Sequence, residues 1–190
     1  MIRFNRKLGI YPEFSSMHPC SVRYKGITYG NSEAAFQAQK TGTEIDIRFQ
    51  SMSGFDAKKY GKKVPLRGDW EDVKYGIMKD VVLAKFQQNT VLWNLLDQTG
   101  NEWIIEDNTW HDCNWGMCTC SRCSKRKAKN MLGLAIMEVR AIMRGEPTCD
   151  VTFILDGKPF TLNLWGEEVQ VYKDVNKWDM LVDTICRHGK

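Results

Sequence analysis

Two stretches of helical period constrain this chain most. From Asp69 to Gln88 the apolar residues Trp70, Val73, Ile77, Val81 and Ala84 recur at steps of three and four, which puts them on one face of a long helix that needs a covering surface. Asp69 stands where the helix cap belongs. From Asn130 onward Leu132, Ala135, Ile136, Val139 and Met143 form a second such face, ending at Gly145 with Pro147 beyond. Two helices of this kind call for a shared core, and 190 residues with 43% hydrophobic content are enough to build one.

The shorter elements fit around them. Val22-Arg23-Tyr24 and Ile27-Thr28-Tyr29, joined by Lys25-Gly26, predict a hairpin, since alternating β-formers flank a glycine turn. Asn31-Ser32 offer capping side chains for a helix from Glu33 to about Lys40. Short helical stretches are expected near Glu44 to Met52, Asp56 to Lys62 and Val91 to Asp97, with a strand at Trp103-Ile104-Ile105. After Cys149 the period falls to two. Strands are expected at Val151 to Leu155, Phe160 to Leu164 and Val169 to Val171, then a terminal helix from Asp174. The reading is a mostly helical α+β domain over residues 1–146 and a β-rich extension ending in a helix over 147–190.

Composition narrows the setting. No run of about 18 apolar residues spans a bilayer and the first residues lack a signal-peptide core, so a soluble, cytoplasmic protein with no membrane partner is expected. Seven cysteines, four of them from Cys113 to Cys123, then read as reduced thiols or metal ligands. A net charge of +4 suits an anionic small molecule as readily as a nucleic acid.

One ordered set of motifs goes further: Phe14-Ser15-Ser16, Ser32 through Lys40, Pro65-Leu66-Arg67-x-x-Trp70, Ala84-Lys85-Phe86, Trp115-Gly116 and Asn130-x-Leu132-Gly133. In this order they resemble the YbiA-like (NADAR) family, over about Phe4 to Arg144. The resemblance implies a small, mostly helical α+β domain that cleaves N-glycosidic bonds without a catalytic metal. It implies as substrate either ribosylamino-pyrimidine intermediates of riboflavin synthesis or ADP-ribose attached to guanine, free or within nucleic acid.

Glu33 matches the family's acidic residue at the helix start. C–N cleavage needs a proton for the departing nitrogen and a negative charge near the sugar carbon, and a carboxyl group supplies either. Lys40, seven residues on, projects from nearly the same helix face and is a candidate to capture the sugar carbon as a Schiff base. Lys85 competes for that role from the apolar side of its own helix. Asp112 occupies the acidic position before Trp115-Gly116, to bind ribose hydroxyls, to position water, or simply to form a turn. Trp70 and Trp115 are candidate stacking platforms for a base. Ser16, Gly116 and Asn130 are carried over as binding positions, and Arg67 with the basic run Arg122 to Lys129 as phosphate ligands. This chain departs from the glycine-rich loop of many members, carrying Met117-Cys118-Thr119-Cys120-Ser121-Arg122-Cys123 instead.

Cys113, Cys118, Cys120 and Cys123, with His111 adjacent, supply soft ligands for a structural zinc, although C-x-C-x-x-C is not the spacing of a zinc ribbon. The reading is therefore an N-glycosidase acting on the ribose C1′–N bond of a phosphorylated, nucleotide-like substrate. The competing readings are a zinc-stabilised nucleic-acid-binding module and a non-catalytic ADP-ribose reader.

Overall fold

The computed structural model describes residues 1–42, 46–126, 128–146, 148–155 and 158–165, which form an α+β fold. In chain order the elements are β1 (Ile2–Phe4), β2 (Val22–Tyr24), β3 (Ile27–Tyr29), α1 (Ser32–Gln37), α2 (Gly54–Tyr60), α3 (Trp70–Gln88), α4 (Thr90–Asp97), β4 (Ile104–Asn108), β5 (Met117–Cys118), α5 (Met131–Arg144), β6 (Thr148–Leu155) and β7 (Lys158–Trp165). They fall into two compact units, Phe4–Gly100 and Met1–Arg3 with Asn101–Lys190. Among the described residues no helix is long and apolar enough to cross a membrane.

In the unit Phe4–Gly100 the expected hairpin is present, with Val22 opposite Tyr29 and Tyr24 opposite Ile27. Lys25 and Gly26 both take positive φ, the combination a tight two-residue hairpin turn requires. Asn31 caps α1 by accepting from the Ala34 amide at 2.8 Å. All six residues of α1 are buried, and Ala34 and Ala35 leave room for neighbours to approach closely. The helix is shorter than expected: the α geometry stops at Gln37, a 3-10 turn covers Ala38–Thr41, and Gly42 ends it at φ 89°. Of the expected stretch from Glu44 to Met52, a 3-10 turn covers Ile47–Ser51, and residues 43–45 lie outside the described set.

The helix α3 follows the predicted span but buries more than one stripe. Trp70, Ile77, Val81 and Ala84 are covered, and so are Tyr75, Met78, Val82, Lys85 and Phe86. Asp69 sits at its N-terminus without capping it, because its carboxylate is held by the Arg67 guanidinium. Phe14 packs edge-on against Phe4 and Phe86, with ring centroids 6.0 and 6.4 Å apart, and stacks on Tyr11. This cluster fixes the Pro12–Phe14 turn that leads to Ser15 and Ser16.

The other unit is built on α5. Every residue from Met131 to Ala141 is buried, so this helix is a core helix on all sides, with Ile104 and Ile105 of β4 fully covered in the same unit. The small sheet has the order β1-β4-β5, with Asp107 and Asn108 paired parallel to Met117 and Cys118. Gly145 ends α5 in the left-handed conformation. The antiparallel pair β6 and β7 runs in register from Thr148 opposite Trp165 to Leu155 opposite Lys158, longer at both ends than the sequence pattern suggested. The expected Asp156-Gly157 turn, strand Val169–Val171 and terminal helix lie outside the described residues.

Candidate active site

Glu33 lies in the first turn of α1 and is buried. A carboxyl group in such a place needs hydrogen-bond partners for both oxygens, and it has them. Ser16 Oγ donates to Oε2 at 2.6 Å and Gln37 Nε2, one turn along the helix, donates to Oε1 at 2.9 Å. The Ser16 backbone carbonyl in turn accepts from the Glu33 amide at 2.8 Å and the Ser32 hydroxyl at 3.0 Å. The two oxygens are chemically unequal. An amide NH2 can only donate, whereas the serine hydroxyl can donate or accept; Oε2 can therefore gain or release a proton while keeping its contact.

Gln37 was not among the expected site residues, although its i,i+4 spacing from Glu33 is the signal that could have found it. Its position depends on Gly61: a Cβ there would lie 2.0 Å from Gln37 Oε1. The Gly61 carbonyl also accepts from Lys40 Nζ at 2.8 Å. A side chain at Gly61 would therefore displace the Gln37 amide, and the Gly61 carbonyl holds the Lys40 amine.

Lys40 falls in the 3-10 turn rather than in α1. Four α steps and three 3-10 steps rotate it roughly 40° from Glu33 about the helix axis, so the two remain on neighbouring faces. Its amine is half-buried, 5.7 Å from the centroid of the Trp70 ring. Loss of hydration lowers its pKa below the ordinary lysine value, and Lys58 and Lys62 push the same way; the Glu33 charge opposes them. Trp70 is buried and packs on Phe36 at 5.2 Å with the rings tilted by 49°, so one ring serves both the core and the Lys40 amine. Arg67 donates its backbone amide to the Lys40 carbonyl at 2.7 Å, while its guanidinium grips Asp69 through two nitrogens.

Lys85 is fully buried. Its Nζ donates to the carbonyls of Glu13 at 2.6 Å and Ser15 at 2.8 Å, and burial pulls its pKa down to about 8. Its visible work is to tie α3 to the turn that presents Ser16.

The remaining candidates lie in the other unit. Asp112 Oδ1 accepts from the amides of Asn114 at 3.1 Å and Trp115 at 2.8 Å, which is the geometry of a turn former. Trp115 is half-buried, and its carbonyl accepts from the Leu132 amide at 2.9 Å. A Cβ on Gly116 would stand 2.6 Å from the Glu106 carbonyl, so this glycine allows the loop to close on β4. Asn130, expected as a substrate-binding position, adopts φ 50° and spends its side chain on β4. Its Nδ2 donates to Ile104 O at 2.9 Å and its Oδ1 accepts from Glu106 N at 3.0 Å. Gly133 completes that seam, with the Ile104 carbonyl 2.2 Å from where its Cβ would be.

The cysteine-rich loop gathers differently from the expected set. Ligand atoms of His111, Cys118, Cys120 and Cys123 all lie within 4.8 Å of one another. His111 takes the place expected for Cys113, which neighbours Cys123 outside that group.

The Glu33 carboxyl with its two donors and the partly desolvated Lys40 amine lie within one unit. Known proteins are similar to this chain in sequence. The chain is 34% identical over 145 residues to the N-glycosidase YbiA of Escherichia coli, covering 74% of this chain and 86% of that protein. It is 26% identical over 170 residues to a riboflavin biosynthesis protein of Vibrio vulnificus, covering 86% of this chain and 43% of that one. The NMR structure of E. coli YbiA superposes with a TM-score of 0.64 at 30% identity, over 75% of this chain and 85% of that one. The model of the NADAR domain matches residues 4–144, a span that holds Ser16, Glu33, Lys40, Trp70 and Lys85 and stops short of the β6–β7 pair. By sequence and by fold, this chain belongs to the NADAR family.

Proposed function

We propose that this N-glycosyl hydrolase of the NADAR family breaks the ribose C1′–N bond of a phosphorylated, nucleotide-like substrate, with Glu33 as proton donor and Lys40 as nucleophile. The observation that carries the reading is the Glu33 carboxyl, buried yet bonded through both oxygens, in the same unit as an amine that burial has made less basic. In the reaction the sugar ring opens: the C1′–O4′ bond breaks, O4′ takes a proton as the substrate N–H gives one up, and C1′ forms an imine with the substrate nitrogen. Lys40 Nζ adds to C1′ and one of its protons passes to the substrate nitrogen; that nitrogen then leaves as an amine with a proton from Glu33 Oε2, which the second Nζ proton replaces as an imine joins Lys40 to the sugar. Water then adds to C1′, releases ribose phosphate and restores the Lys40 amine. Trp70 flanks the amine and limits its hydration; Lys85 supports Ser16 and so positions Glu33.

Ribosylamino-pyrimidine phosphates are the first substrate class to try, in keeping with the name of the Vibrio relative, and ADP-ribosylated guanine, free or in nucleic acid, is the second. The cytoplasm is the compartment this reading implies, because thiols stay reduced there. Borohydride added during turnover reduces the imine to a stable secondary amine, and peptide mass mapping then finds the sugar on Lys40. An adduct on Lys85 would exchange the two lysines' roles. Active turnover with no adduct would replace the covalent step by direct attack of water.

A further inference from the structure

We infer that His111, Cys118, Cys120 and Cys123 form a closed structural zinc site, distinct from the candidate catalytic residues. Four soft or borderline ligand atoms converge: His111 Nδ1 lies 3.2 Å from Cys120 Sγ and 3.5 Å from Cys123 Sγ, and all four ligand atoms fall within 4.8 Å of one another. In tetrahedral zinc, bonds of about 2.3 Å to sulfur and about 2.0 Å to nitrogen put neighbouring ligands roughly 3.6–3.8 Å apart. The cluster therefore needs only small adjustments to take the ion. Four protein ligands fill the coordination shell, which is the structural type of site with no open position for water.

The backbone prepares the geometry. Cys118 belongs to β5 and is paired with Asn108, and the Thr119 amide donates to the Asn108 carbonyl at 2.8 Å. Cys120 and Cys123 flank a 3-10 turn closed by Cys123 N to Cys120 O at 3.0 Å. His111 joins them from a residue at φ 68°, a conformation that a histidine adopts at some cost. Three thiolates around a divalent ion leave one net negative charge. Arg122, Lys125 and Arg126, in or just after the same turn, offset it. The site would clamp residues 111–123, the loop that carries Asp112 and Trp115, onto β4 and β5.

The test uses the full, untagged chain purified under reducing conditions without chelator. Elemental analysis is expected to find about one zinc per chain, and cobalt added to the metal-stripped protein is expected to give thiolate charge-transfer and tetrahedral ligand-field absorption. Cys120→Ser and His111→Ala are expected to lower bound metal at least ~10-fold, whereas Cys113→Ser keeps it. The Cys113→Ser result and the cobalt spectrum of the unaltered chain stay informative even if a ligand variant fails to fold. Metal-free protein that also gives no tetrahedral cobalt spectrum would overturn the inference. So would loss of metal in Cys113→Ser with retention in His111→Ala.

Discussion

Replacing the Glu33 carboxyl with an amide, Glu33→Gln, separates chemistry from folding because the surrounding donors can accommodate either group. The new amide oxygen would still accept from Gln37 Nε2, now 2.9 Å from Oε1, and the new NH2 would donate to Ser16 Oγ, now 2.6 Å from Oε2, once that hydroxyl turns round. Both contacts survive as neutral hydrogen bonds, so the loss is only their charge-assisted part, about 1 kcal/mol. Against a domain stability of ~5–15 kcal/mol the chain stays folded. What disappears is the exchangeable proton at Oε2, worth at least ~100-fold in turnover, or about 2.7 kcal/mol of barrier. Thermal melting followed beside the release of reducing sugar reads both quantities. A variant that melts within a few degrees of the parent and turns over within about threefold of it would remove Glu33 from the mechanism.

Two further substitutions test the supports. In Gly61→Ala the added methyl would stand 2.0 Å from Gln37 Oε1 and 3.0 Å from the Ala57 carbonyl; denaturant unfolding should show a loss of about 1–3 kcal/mol and turnover should fall with it, whereas Gly68→Ala, with open space at its Cβ, should change neither. Lys85 has its pKa held at about 8 in the folded chain against 10.5 ordinarily, so between these values the unfolded chain binds the extra proton and stability should rise with pH, by up to about 1.4 kcal/mol per unit. Below pH 8 both states are protonated and this contribution is flat. Comparing the parent with Lys85→Met across pH 7–10 isolates the slope; equal slopes in the two proteins would contradict the burial of a titrating amine.

Helical period made α3 and α5 legible, and the cap at Asn31 and the turn at Lys25-Gly26 followed from side-chain and backbone chemistry alone. The structure departs from the pattern where tertiary contacts decide. The helix from Glu33 was expected to run to Lys40, but the backbone bond from Arg67 to the Lys40 carbonyl, the pull of Gly61 on its amine and the positive φ of Gly42 accompany its tightening to 3-10 geometry. Asp69 heads its helix without capping it because Arg67, two residues away, holds the carboxylate. Gly61 gave no signal, since nothing in a lysine-rich turn announces that a glutamine side chain will fill the space above one Cα. Motifs also mix trades. Asn130 and Gly133 recur as a motif in the resemblance, and here they join α5 to β4 through Ile104 and Glu106. At Asn130 both side-chain polar atoms are spent on the β4 backbone, whereas both Glu33 oxygens are bonded by side chains, Ser16 and Gln37.

The most direct measurement is product identification after incubating the purified chain with a panel of phosphorylated ribosylamino-pyrimidines and ADP-ribosylated guanine nucleotides. N-glycosidic cleavage predicts equal amounts of a free nitrogenous base and a reducing ribose phosphate or ADP-ribose from at least one member, abolished by Glu33→Gln. Tight binding of panel members with no base and no reducing sugar released would contradict it and identify a reader in place of an enzyme.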